Sequence, residues 1–256
     1  MTWKIVVALF VGVLLGLVTQ APVNKILPRV LPDSASVELY ELDGTLLDGH
    51  AGYVRAQGVG ADDVRWVLHP GSLLLGRVSA DLEVSMHSRD LDEDNAWLTA
   101  RVARSLFGNT IVAREIQAAA PLSALQKPLK LPYLPVDAVI RLNLDELRVV
   151  DMAPERVEGL AYLTQTQWKL GQPVALGDYR IALSTPEDAV VATLSDSDSA
   201  KVSIQGKAEL SAERAYAVDI QLKPKLDTPA SVANQMKALG RTDAQGWYRV
   251  RQDGSF

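Results

Sequence analysis

An unbroken apolar run near the N-terminus, from Ile5 to Val18, most constrains what this chain can fold into. Such a run is either the core of a cleaved signal peptide or a retained membrane anchor. Residues 19–21 partly supply the small residues that cleavage needs, but Pro22 follows, and its ring fits the extended site of a protease badly. We therefore expect an uncleaved anchor. Counted from Trp3 to Val23, it reaches the roughly 20 residues that cross about 30 Å of hydrocarbon.

Three small residues share one face of this predicted transmembrane helix. Ala8, Gly12 and Gly16 are four residues apart, and small side chains at that spacing let membrane helices approach closely. They are candidate helix-packing residues; the alternative is that Gly and Ala are simply common in membrane helices. Lysine and arginine are nearly balanced on the two sides of the run, so charge alone does not fix its orientation.

The composition of the remaining chain is that of a globular protein. About 230 residues are enough for one large or two modest domains. The chain is 48 % hydrophobic and 22 % charged, which allows a sizeable core. A net charge of −5 argues against a binding face for nucleic acid or anionic lipid. Because there is no cysteine, disulfides, thiolate metal sites and a cysteine nucleophile are excluded.

From Ser36 onward, short alternating segments follow one another about every ten residues. In Arg77–Met86 every second side chain is apolar, which is typical of a strand with one wet and one buried face. Asp43-Gly44 is a type I′ hairpin signal, and Ser195 to Ala200 reads as a polar hairpin loop. Because few helices intervene, we expect antiparallel pairing rather than βαβ units. The predicted fold class is all-β: an N-terminal transmembrane helix followed by an extended antiparallel β-sheet domain.

The remaining elements are one or two covering helices and further strands. A short helix is predicted at Pro121–Gln126 and a better one at Pro229–Leu239, with Thr228 as its cap and Gly240 at its end. The apolar stripe of the second helix, expected to lie against the sheet, is Val232, Met236 and Leu239. The other predicted strands are Ser36–Leu42, Tyr53–Gln57, Asp63–Leu68, Trp97–Ala103, Thr110–Ala119, Ala138–Leu144, Val157–Leu170, Asp178–Ser184, Val190–Leu194, Val202–Leu210, Tyr216–Leu222 and Trp247–Val250.

Two similar blocks suggest an internal duplication. Trp66-Val67-Leu68 and Trp168-Lys169-Leu170 each end a predicted strand and are followed by a glycine and an alternating strand. The proline-rich span from Pro121 to Pro135 would join the two halves, which would form a curled sheet or groove. The predicted organisation is an anchor at 1–23, a proline-containing stalk at 24–35 and a β domain at 36–256, with halves 36–127 and 128–256.

No motif for catalysis or metal binding stands out. The three histidines lack metal-ligand spacing, and there is neither a nucleophile elbow nor a phosphate-binding loop. Asp90, Asp92 and Asp94 resemble the start of a calcium loop, but Asn95 and Arg101 stand where that loop needs glycine and glutamate. We therefore expect a protein that is not an enzyme and that uses no cofactor or metal.

Three blocks of residues carry a family resemblance. They are G-T-L-L-D-G at Gly44–Gly49, W-V-L-H-P-G-S-L-L-L-G at Trp66–Gly76, and Gly246-Trp247-Tyr248 followed by Asp253-Gly254. Together with the N-terminal run, they resemble the type II secretion system protein N family, the general secretion pathway N component, over most of the chain. The resemblance implies an accessory, single-pass protein of the bacterial inner membrane, with a cytoplasmic N-terminus and a periplasmic C-terminal domain. It carries over no catalytic residues.

The resemblance also implies partners: other inner-membrane components of the type II protein secretion machine, or the outer-membrane secretin. The leading hypothesis is a scaffold or connector in protein transport, because open strand edges can accept a partner strand. The alternative is an envelope β-groove protein that binds or transfers lipid. Candidate contacts for a partner or a lipid are Trp66, Leu73, Leu74, Leu75 and Trp168, although both tryptophans can equally be core residues.

Overall fold

The computed structural model of the protein describes residues 22–24, 37–56, 59–86, 96–126, 136–151, 153–169, 172–212 and 215–255. The predicted anchor, with Ala8, Gly12 and Gly16, lies outside these residues except for Pro22 and Val23. The predicted stalk after Asn24 and the acidic stretch of Asp90, Asp92 and Asp94 also lie outside them. Within the described ranges, no helix has the length and hydrophobicity needed to cross a lipid bilayer.

Thirteen strands of the described residues form one antiparallel sheet, in which each strand pairs with the next along the chain. This confirms the all-β, antiparallel prediction. The strands are β1 Val37–Gly44, β2 Asp48–Ala56, β3 Val59–Leu68, β4 Arg77–Met86, β5 Ala96–Ser105, β6 Thr110–Pro121, β7 Val136–Val150, β8 Ala153–Trp168, β9 Val174–Ser184, β10 Val190–Asp196, β11 Val202–Leu210, β12 Ala215–Pro224 and β13 Tyr248–Ser255.

One face of this sheet is apolar from the first strand to the last. Directly opposed residues of antiparallel strands share a face. A single row of such partners, which we call the apolar row, crosses all thirteen strands without one polar side chain. Its members are Leu42, Ala51, Val64, Val84, Leu98, Ala118, Leu142, Ala161, Ile181, Leu194, Gly206, Ile220 and Val250.

The opposite face carries the charges. Asp81, Arg101, Arg114 and Glu146 are neighbours in one row across β4 to β7. The Arg101 Nε donates to Asp81 over 2.8 Å, and the Arg114 Nε donates to Glu146 over 3.0 Å. Exposed ion pairs of this kind add little stability each. Their main consequence is to define which face of the sheet is solvated.

The C-terminal helix, Ala230–Met236, covers the apolar face of the last strands and continues as one 3₁₀ turn, Lys237–Leu239. Its buried Val232 and Met236 form a cluster that Trp168 of β8 and Tyr248 of β13 both join. On a flat sheet those two strands would lie about 24 Å apart, at ~4.8 Å per strand, whereas a helix is only about 10–12 Å wide. The sheet therefore curls around the helix with its apolar face inside.

A second buried cluster lies on the same face nearer the middle of the sheet, formed by Ala100, Ile116, Leu144 and Val157. The pairing register shifts at several places along the sheet, and three of these shifts lie beside a non-glycine residue in the left-handed region. These residues are Asp63, Glu115 and Gln165, with φ of 52°, 52° and 54°. Bulges of this kind bend a strand and increase its twist, so they contribute to the curl.

Most of the predicted elements are present. Arg77–Met86 is a strand with the predicted bounds, the loop after Asp196 joins β10 to β11, and a short helix occupies Leu122–Gln126. Val232 and Met236 are buried as expected, and Leu239, although 46 % exposed, borders the same space between the helix and the sheet.

Two local predictions were wrong. Asp43 and Gly44 are the last residues of β1, and the hairpin turn follows them: the Thr45 N–H donates to the Asp48 carbonyl over 2.8 Å. Thr228 does not cap the C-terminal helix, because its hydroxyl donates instead to the carbonyl of Lys201 in the β10–β11 loop.

The buried face of the C-terminal helix yields a first prediction. Met236→Ala leaves a cavity between the helix and the sheet and lowers the free energy of unfolding by about 2–5 kcal/mol, as measured by denaturant titration. Ser231→Ala, an exposed position on the same helix, is the matched control and changes it by less than about 0.5 kcal/mol. Equal effects of the two substitutions would contradict the packing described above.

Candidate functional site: the apolar face and the two ends of the sheet

The two ends of the sheet differ in what they carry. Because every strand reverses direction, alternate connections lie at the same end. The connections at 45–47, 69–76 and 106–109 lie at one end, called here the Trp66 end. The connections at 197–201 and 225–247, which include the C-terminal helix, lie at the other, called here the helix end.

Trp66 fixes the structure of the Trp66 end. Its indole lies against Gly49, where an added Cβ would overlap the ring. Its Nε1–H donates to the carbonyl of Leu46 over 3.1 Å, and the Leu68 N–H donates to the carbonyl of Leu47. The ring is half-buried. Trp66 therefore ties the β1–β2 turn to β3 and is a packing residue more than a free contact surface.

The segment after Trp66 turns three leucines outward. Pro70 opens a 3₁₀-helix, Pro70–Leu75, and Gly76 ends it in the left-handed region with φ 67°. The Leu106 N–H donates to the Gly76 carbonyl over 2.9 Å, and a Cβ on Gly76 would lie 3.1 Å from the ring of Phe107. The β3–β4 and β5–β6 connections are thus held together. Their exposed apolar side chains, which we call the leucine tip, are Leu73, Leu74, Leu75, Leu106 and Phe107.

A cavity of about 220 Å³ lies near the helix end, between the C-terminal helix and the curled sheet. Its walls include Leu163, Trp168, Leu176, Val202 and Met236. The Trp168 Nε1–H donates to the side-chain oxygen of Gln235 on the C-terminal helix. Trp168 therefore faces the cavity, and its ring helps to hold the helix in place.

Thr166 and Tyr179 each bring a hydroxyl to the border of this apolar space. Thr166 is 2 % exposed, and its hydroxyl has no hydrogen-bond partner in the part of the chain that the structure describes. Burial raises the pKa of Tyr179 to about 12, and its hydroxyl donates to the carbonyl of Leu176. Since that phenol stays neutral at physiological pH, the cavity wall carries one neutral phenol and one buried hydroxyl.

Two carboxylates with displaced pKa values, Asp219 and Asp81, sit in ion pairs on the opposite face. Hydrogen bonds from Arg249 and then Arg251 lower the pKa of Asp219 to about 2. A hydrogen bond from Arg101 likewise lowers the pKa of Asp81. Across the described ranges, no group of three or more histidine or carboxylate side chains is arranged to hold a metal ion.

The structure separates the sequence-predicted contact residues into two groups. Trp66 and Leu73, Leu74 and Leu75 lie at the Trp66 end, whereas Trp168 lies beside the cavity at the helix end. The two tryptophan blocks therefore do not occupy equivalent positions in the meander. The sequence analysis did not include Leu106 and Phe107 among the candidate contact residues. Two large apolar residues at the tip of a predicted hairpin could have indicated them.

Comparison of the sequence with known proteins assigns the chain to a family. The profile described as type II secretion system (T2SS), protein N, matches residues 35–251. The chain belongs to the type II secretion system protein N family. The match includes the Trp66–Gly76 block and the whole sheet up to β13 residue 251, and it supports a role in type II secretion.

Two relatives carry the same name, type II secretion system protein N. The Vibrio cholerae serotype O1 protein is 26 % identical over 228 residues, covering 88 % of each chain. The Aeromonas hydrophila protein is 26 % identical over 254 residues, covering 98 % of this chain and 97 % of that one. No solved structure matches the chain.

The contact between Gly49 and Trp66, inside two of the blocks that mark protein N, yields a second prediction. Gly49→Ala forces a methyl group into the indole and lowers the free energy of unfolding by about 1–3 kcal/mol. Gly71→Ala in the same block has open space around it and changes that free energy by less than about 0.5 kcal/mol. Thermal or denaturant unfolding of both variants checks the pair, and an unaffected Gly49→Ala would disprove the role given to Trp66.

Proposed function

We propose that this type II secretion system protein N is a non-catalytic scaffold or connector of the secretion machine. The N-terminal apolar run holds it in the bacterial inner membrane as a single-pass protein with a cytoplasmic N-terminus, and its β domain, which Pro22 and Val23 join, works in the periplasm. The apolar run Ile5 to Val18 supports the anchor, and membership of the family supports the place in type II secretion.

The observation that carries the connector role is the open edge of the sheet at β13. Within the described residues, β13 pairs only with β12, so its outer main-chain groups are open to another strand. Its charged side chains, Arg249, Arg251 and Asp253, are exposed, which discourages unspecific pairing between sheets. A strand of another secretion component can add to this edge through main-chain hydrogen bonds.

The charged groups support a role without catalysis. A catalytic acid or base has a pKa displaced toward its task and sits in a cleft. Here the pKa values of Asp81 and Asp219 are lowered by arginines that lie on the same solvated face, and both carboxylates stay ionised. Their partners give them a structural role in the sheet.

Site-specific photo-crosslinking in secreting cells tests the connector. A photoreactive residue in place of Arg251, on the β13 edge, forms a covalent adduct with another component of the secretion machine. The same residue in place of Lys207, which is exposed on the solvated face inside the sheet, gives no such adduct. Equal yields at both positions, or adducts that persist when the other components are deleted, would refute a partner at this edge.

The second candidate function, lipid binding, is favoured by one specific observation. The cavity under the C-terminal helix has apolar walls and contains the buried hydroxyl of Thr166, which no described residue satisfies. An apolar pocket with a few convergent polar groups is a common form of small-molecule site. An acyl chain with a polar group near Thr166 fits that description.

Thr166→Val distinguishes the two candidates, because it keeps the shape of the side chain and removes the hydroxyl. In a connector the Thr166 hydroxyl is buried without a partner, so removing it raises the free energy of unfolding by about 1 kcal/mol. Gently purified connector also carries no stoichiometric phospholipid by mass spectrometry. Thr193→Val, on the solvated face, is the control. Co-purified lipid that is lost in Thr166→Val but kept in Thr193→Val would instead establish lipid binding.

A further inference from the structure

The leucine tip lies at the end of the sheet where the N-terminal segment meets it. Pro22 forms an antiparallel bridge with Thr45, in the β1–β2 turn at the Trp66 end, and the neighbouring Val23 is completely buried. The apolar run ends at Val18, four residues before Pro22, and four residues span at most about 14 Å. The end of the apolar run and the leucine tip therefore belong to the same end of the domain.

The tip is exposed and fixed in that exposed position. Leu74 is 91 % and Phe107 is 88 % exposed, and the other three members are at least half exposed. The left-handed Gly76 and its hydrogen bond from Leu106 hold the two connections together, so the side chains do not fold back onto the sheet. A rigid, outward-facing group of large apolar side chains marks an interaction surface.

The surroundings of the tip fit a bilayer surface. Arg77 directly follows Gly76, and Arg104 precedes the hairpin tip by two residues; both are exposed, and neither forms an ion pair within the described residues. Arginine keeps its guanidinium among headgroup phosphates while its stem and its apolar neighbours lie deeper.

We infer that the leucine tip inserts into the periplasmic leaflet of the same bilayer that holds the anchor. It is a second membrane contact, and it fixes the orientation of the sheet relative to the membrane plane. This inference rests on the anchorage proposed above, since that anchorage brings the Trp66 end to the bilayer.

Site-directed spin labelling of the full chain in phosphatidylcholine vesicles tests the insertion. The chain has no cysteine, so Leu74→Cys and Phe107→Cys each carry a single nitroxide. Leu226→Cys is the matched control: a fully exposed leucine at the helix end. Labels at 74 and 107 collide more with oxygen, which concentrates in lipid, and several-fold less with a water-soluble nickel chelate than the label at 226.

A fourth label, Gly12→Cys, separates this inference from the anchorage on which it rests. If the label at 12 lies in hydrocarbon while those at 74 and 107 are as accessible to the nickel chelate as the one at 226, the insertion is refuted. The anchorage is then supported, and the tip is exposed for a protein partner. If all four labels are wet, both ideas fail. Lipid-buried labels at 12, 74 and 107 support the insertion as stated, whereas lipid-buried labels at 74 and 107 with a label at 12 in water would refute the anchorage and, with it, the second contact.

Discussion

The apolar face that runs unbroken across thirteen strands is the constraint on which the rest of the structure depends. A face of that size cannot stay flat in water, because its apolar area would remain hydrated. The short C-terminal helix covers only the strands near β8 to β13. The sheet meets the constraint by curling around that helix, and residues such as Glu115 and Gln165, held in left-handed bulges, bend its strands.

The contact between Trp66 and Gly49 fixes the structure of one end of this sheet. The indole fills the space that the missing side chain of Gly49 leaves, and its N–H satisfies the carbonyl of Leu46 in the adjacent turn. With that turn fixed, β3 leads into a short 3₁₀-helix that Gly76 ends. The most specific block of the family resemblance thus has a physical meaning: it builds a rigid end that presents leucines to the surroundings.

Alternation of apolar and polar residues was enough to predict the strands, because it reflects a property of the sheet as a whole. It could not predict features decided by contacts distant in sequence. The β1–β2 turn lies beyond Asp43-Gly44, where Trp66 and Leu68 donate hydrogen bonds to its carbonyls. The Thr228 hydroxyl donates to the carbonyl of Lys201 and does not cap the helix. The leucine tip was half predicted: Leu73 to Leu75 stand out in sequence, but only the fold brings Phe107 to them.

The two ends of the sheet differ, so the domain has a polarity that a connector between two places can use. In the proposed arrangement, the leucine tip and the bridge at Pro22 mark the end nearest the membrane, and the cavity and the C-terminal helix mark the other. A strand of ten residues such as β12 spans about 33 Å between them. With the tip in the bilayer, the β13 edge runs outward from the membrane surface over a similar distance. A strand added to that edge would therefore extend across part of the periplasm, so the contacts at the tip would determine where a partner is met.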